Sequence, residues 1–120
     1  MGRIEKVNQA VKEEVSQIIQ FEVKDPRLEF VTVTRVEVSK DLQHARVFFS
    51  VLGDAAKAED AKQGLSSARG FIRRLVGQRV RMRYTPEIDF VLDRSLEYSI
   101  DIENAIEKVK DELTKDSSNN

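Results

Sequence analysis

Residues 30–52, FVTVTRVEVSKDLQHARVFFSVL, constrain the fold more than any other stretch of the chain. Two runs rich in β-branched and aromatic residues flank a polar turn, SKDLQH, which is the pattern of an antiparallel hairpin. In the second run Ala45, Val47, Phe49 and Val51 alternate cleanly, as in a strand with one buried face. The first run is less regular. Val31 and Val33 share one parity while Val36 and Val38 share the other, so a strict period of two fails near Thr34-Arg35. A β-bulge at that point returns both pairs to the core side, and the sequence predicts one.

Helical patterns surround the hairpin. Before it, Ile4, Val7, Val11, Val15, Ile18 and Ile19 recur at spacings of three and four and form one apolar stripe. KDPRL ends that helix, because the residue before Pro26 is pushed out of the α region and Asp25-Pro26 is turn chemistry. After the hairpin, Asp54 follows Gly53 as an N-cap, and Ala58, Ala61, Leu65 and Ala68 keep helical spacing. SSARG then interrupts the helix before FIRRLVGQ resumes it: glycine costs about 1 kcal/mol relative to alanine inside a helix, so Gly70 reads as a break. From Arg79 the alternation of RVRMRY is strand-like, and PEIDFVLD continues it with Ile88, Phe90 and Leu92 on one parity. A last helix is expected after an Asp93 or Ser95 cap, with Ile102, Ile106, Val109 and Leu113 as its stripe. The polar residues TKDSSNN are then expected to form a disordered tail. The expected order is α-β-β-α-break-α-β-α, a single α+β domain with a small sheet.

With 120 residues and 40% hydrophobic content, the chain suffices for one core. The absence of cysteine excludes disulfides and thiolate zinc sites. MGRIEKVNQAVKEEV lacks the apolar run of a signal peptide, and no stretch approaches the roughly 18 apolar residues of a membrane span, so the expectation is a soluble, cytoplasmic protein. The formal charge of −1 hides an asymmetry. Residues 1–86 hold 16 basic and 11 acidic side chains, residues 87–120 hold 4 basic and 10 acidic. Between Asp60 and Glu87 there is no acid at all, and RGFIRRLVGQRVRMR alone carries six arginines.

On a helical wheel Phe71, Ile72, Leu75 and Val76 cover one face, while Gly70, Arg73, Arg74 and Gly77 gather on the other. Two arginines beside two positions without side chains let a phosphodiester backbone approach closely while guanidinium groups reach around it. No acid within the segment sits at i±4 from these arginines, and Arg69, Arg79, Arg81 and Arg83 add to them. An anionic partner, nucleic acid before others, is the expected reading. Only Phe71 and Tyr84 interleave with the arginines, which favours recognition of RNA backbone and shape over base stacking.

Catalytic chemistry is not expected. The one histidine, His44, falls in the hairpin turn. Asp89 and Asp93 have no third ligand nearby, and Ser66-Ser67 lacks a nucleophile-elbow context. No Walker loop or dinucleotide fingerprint is present. No cofactor and no metal are expected.

KDPRL, VTRVEVSKDLQHARVFFS and ARGFIRRLVGQRVRMRYTPEIDFVLDRS, in that order, resemble bacterial ribosome-binding factor A from about Arg3 to Leu113. The resemblance implies a single type II KH-like domain over residues 1–113, with a three-stranded sheet packed by helices on one face, and a polar tail over 114–120. It implies that the usual GxxG loop is replaced by a helix–kink–helix, here Ala68-Arg69-Gly70. It also implies a non-enzymatic, monomeric assembly factor that binds the small ribosomal subunit through 16S ribosomal RNA and acts late in its maturation. That role includes 5′-end processing of the precursor and growth in the cold, with release helped by an assembly GTPase. Arg69, Gly70, Arg73, Arg74, Gly77, Arg79, Arg81 and Arg83 are the expected RNA-binding residues. A general RNA- or single-stranded-DNA-binding KH module and a protein–protein adaptor with a basic face are the alternatives.

Overall fold

The structure, a computed structural model, describes residues 2–94. Helix α1 spans Arg3–Gln17 and buries Val11 and Val15. It runs on into one wider π turn, Ile18–Glu22, closed by the Val23 N–H on the Ile18 carbonyl at 2.9 Å. The wider turn allows the consecutive Ile18 and Ile19 both to face inward. A 3₁₀ turn, Pro26–Leu28, comes next, and Asp25 caps it by accepting from the Arg27 N–H at 2.9 Å. The Arg27 guanidinium closes on the same carboxylate, at 2.8 Å to Oδ2, and holds the Asp25 carboxyl below its ordinary range. This rigid turn drives Leu28 into the core against Gly64, where a Cβ would lie 3.0 Å from Leu28 Cδ2.

Strands β1 (Val31–Val38) and β2 (His44–Val51) form the expected antiparallel hairpin. Val33 pairs with Phe49 and Arg35 with Phe48, so Thr34 is the extra residue of a bulge. The bulge puts Val33, Val36 and Val38 all on the buried side, as the change of parity requires. Thr34 is not idle: its hydroxyl donates to Asp93 Oδ2 at 2.6 Å. On the opposite face of the sheet Phe48 is shielded by the Arg35 guanidinium, 3.9 Å from the ring centre.

Asp54 caps α2 as expected, accepting from the Lys57 N–H at 3.0 Å. The expected break is absent. α2 is a single helix, Ala55–Arg79, of 25 residues. Its apolar stripe of Ala61, Leu65, Ala68, Ile72 and Val76 passes through the Ala68–Gly70 position without losing phase. Continuous burial on both sides outweighs the roughly 1 kcal/mol preference against one glycine. The described order is therefore α-β-β-α-β.

Strand β3, Glu87–Leu92, pairs parallel to β2 and completes a sheet of order β1-β2-β3. Parallel neighbours need a crossover, which α2 provides. Ala45, Val47 and Phe49 of the central strand are fully buried beneath the two helices. The strand expected from Arg79 begins instead at Glu87, and residues 80–86 are irregular. Two causes are visible. Pro86 has no N–H for a ladder, and the carbonyls of Thr85 and Pro86 are taken by Arg73. The expected last helix and the 114–120 tail lie outside the described residues.

Two glycine substitutions test the single helix. Among the described residues a Cβ on Gly70 meets nothing within 4 Å, whereas one on Gly77 would lie 2.5 Å from Thr85 Oγ1. Gly70→Ala should therefore raise stability by about 0.5–1 kcal/mol in thermal or urea unfolding, and Gly77→Ala should lower it. A destabilising Gly70→Ala would restore the break.

Candidate nucleic-acid interface

The arginines of α2 and the segment after it fall into two groups. Arg73 turns along β3. Its Nη2 donates to the Thr85 carbonyl at 3.0 Å, its Nε to the Pro86 carbonyl at 3.2 Å, and Glu87 Oε1 lies 3.3 Å away. Arg69 reaches Asp89 across the same strand edge, at 3.8 Å. Arg79 faces the other way, to Glu22 at 2.9 Å and Glu14 at 3.8 Å on the α1 side. The expectation that this charge is uncompensated is therefore corrected for Arg69, Arg73 and Arg79. Their partners come from elements remote in sequence, where a search at i±4 does not look. Gly77 is also reassigned: Thr85 packs over it, so it is a close approach between chain segments and not a bare spot for a ligand.

Arg74, Arg81 and Arg83 form no ion pair among the described residues. Arg74 lies against the Phe71 ring, 5.5 Å from its centre, beside the open surface of Gly70. Arg81 and Arg83 extend from the irregular segment into a hollow of about 490 Å³ that Arg3 also lines. Two adjoining hollows share Arg3. One, of about 380 Å³, adds Lys6 and Arg81, and the other, of about 400 Å³, adds Lys40 and Arg83. Arg3, Lys6 and Lys40 likewise form no ion pair among the described residues.

The basic surface is thus a corner where the start of α1, the β1–β2 turn and the end of α2 meet. Glu13, Glu14 and Asp41 also line its walls. Asp41 is engaged locally: it accepts from the Ser39 hydroxyl at 2.6 Å and the Gln43 N–H at 3.1 Å, which holds its carboxyl low. Arg3, Lys6 and Lys40 were not among the expected residues. Nothing in their local sequence sets them apart, and only the topology gathers them. Among the described residues no three His, Cys, Asp or Glu side chains are placed to hold a metal ion.

A family model described as Ribosome-binding factor A matches residues 3–106. The chain belongs to the ribosome-binding factor A family. The family member of Halothermothrix orenii is 48% identical over 114 residues, covering 95% of this chain and 93% of that one. The crystal structure of ribosome-binding factor A from Thermus thermophilus superposes with a TM-score of 0.71 at 29% identity, over 78% of this chain and all of that one. A homology model of the Thermus thermophilus factor, as fitted into a cryo-EM map of a 30S–RbfA complex, gives 0.62 at 29% identity, over 79% and 97% of the two chains. The α+β, KH-like architecture of the family is the one described above.

The two groups of arginines predict opposite results on truncation. Arg73→Ala removes two hydrogen bonds from a charged donor and should cost about 1–2 kcal/mol in urea unfolding. Among the described residues Arg74 touches a ring face and forms no ion pair, so Arg74→Ala should stay within about 0.5 kcal/mol of the wild type.

Proposed function

We propose that this chain binds the small (30S) ribosomal subunit through 16S ribosomal RNA and acts as a non-enzymatic factor in its late maturation. One observation carries the reading. Five cations from three separate segments, Arg3, Lys6, Lys40, Arg81 and Arg83, converge on one corner without ion pairs among the described residues. A surface that concentrates positive charge in this way suits a phosphate backbone, and its binding depends steeply on salt. Arg74 beside the open Gly70 extends the footprint along α2. Membership of the family and the fitting of a relative into a 30S map support the subunit as the target.

On this reading the protein works as a cytoplasmic monomer, assists 5′-end processing of precursor 16S ribosomal RNA and supports growth in the cold. It leaves the subunit with the help of an assembly GTPase and needs no cofactor. Co-sedimentation on sucrose gradients tests the first step. Arg81→Glu with Arg83→Glu should move the protein from the small-subunit fractions to the top of the gradient, with its helical circular dichroism unchanged. Undiminished co-sedimentation would remove the corner from the interface. Equal competition by random RNA would favour a general RNA-binding module, and a complex resistant to ribonuclease would favour a protein partner.

A further inference from the structure

We propose that the hollow between the start of α1, the β1–β2 turn and Arg83-Tyr84 is a pocket for one unpaired nucleotide, its base stacked on Tyr84 and its flanking phosphates held by Arg3, Lys40 and Arg83. This rests on the RNA-binding reading and specifies it. Tyr84 is half exposed and is not among the aromatic side chains packed against the core. The Arg83 guanidinium stands 5.5 Å from the ring centre. Ile4, Val7 and Leu42 make an apolar floor. Leu42 is held there in the left-handed region, at φ 63°, an unfavourable setting for a leucine. The turn compensates with the Leu42 N–H on the Ser39 carbonyl at 2.9 Å and with the two hydrogen bonds to Asp41. The floor is therefore preformed and does not depend on a ligand to order it.

Size and charge agree with a nucleotide. The hollow measures about 400 Å³, inside the roughly 300–1,000 Å³ range of small-ligand clefts. Among the described residues three cations outnumber one carboxylate at its rim. An acidic peptide would use the cations but leave the ring and the apolar floor unmatched. An extruded base uses all three, since bases freed from a helix stack on tyrosine and arginine planes. Recognition mainly by shape and backbone, the expectation from sequence, is thus supplemented by one stacking platform.

Fluorescence anisotropy of the full chain with two RNAs at one salt concentration tests the pocket. One RNA is a stem bearing a single bulged nucleotide, made with each of the four bases, and the other is the same stem without the bulge. The wild type should bind a bulged stem about tenfold more tightly than the perfect one. Tyr84→Ala should weaken bulged-stem binding by about the same tenfold, while Tyr84→Phe keeps it. Because Tyr84 is half exposed, the thermal midpoint of Tyr84→Ala should match that of the wild type. Equal wild-type affinity for both stems, or a preference that survives Tyr84→Ala, overturns the pocket while duplex binding keeps the RNA reading. Failure to bind either stem overturns both.

Discussion

Parallel pairing of β2 and β3 is the constraint on which the rest of the structure depends. A parallel neighbour must start at the same end of the sheet as its partner, so the chain leaving β2 has to travel back along the full length of the sheet. α2 makes that journey. Its 25 residues span ~38 Å, while the 8 residues of β2 span ~27 Å, so the helix outruns the strand by about 10 Å. The irregular segment 80–86 takes up the excess and returns the chain to Glu87, whose N–H bonds to the Gln43 carbonyl beside the β1–β2 turn. Arg73 and the Gly77–Thr85 contact pin that segment to the helix it has just left. The basic corner follows from this path. α1 starts, the hairpin turns and α2 ends at the end of the sheet where β3 begins, and α1, the turn and the segment after α2 contribute the cations there.

Electrostatics divides the arginines by direction. Arg73 works inside the fold, through hydrogen bonds to carbonyls that would otherwise have no strand ladder to join. Arg69 and Arg79 make exposed or half-exposed pairs, and such pairs contribute at most about 1 kcal/mol each. Their importance is where they point: Arg69 along the β3 edge, Arg79 to the carboxylates of α1 and its π turn. What remains for a partner is the set that nothing in the described residues neutralises.

The parts of the fold legible in the sequence are those decided by neighbours along the chain. The change of parity between Val33 and Val36 located the bulge, because two residues out of phase can share a face in no other way. Asp54 and the Asp25-Pro26 turn were legible for the same reason, each capping its own next residues. Gly70 was misread because local propensity spoke against a helix while Leu65 and Ile72, on either side, were buried in one core. The alternation of RVRMR suggested a strand, but Arg73, more than ten residues away, had already taken the carbonyls near its end. The same separation hid Glu14, Glu22, Glu87 and Asp89 as partners of the arginines, and Arg3, Lys6 and Lys40 as members of the site. Charge density could be counted in the sequence. Its direction required the fold.

The claim that the corner, and not the β3 flank of α2, meets the RNA is tested most directly by the salt dependence of affinity for a 16S-derived RNA. Arg81→Gln with Arg83→Gln should lower the slope of log affinity against log salt by nearly one for each side chain, roughly 0.9 on duplex. Arg69→Gln with Arg73→Gln should leave that slope where it was. The reverse outcome, a slope carried by Arg69 and Arg73 and indifferent to Arg81 and Arg83, would contradict the account.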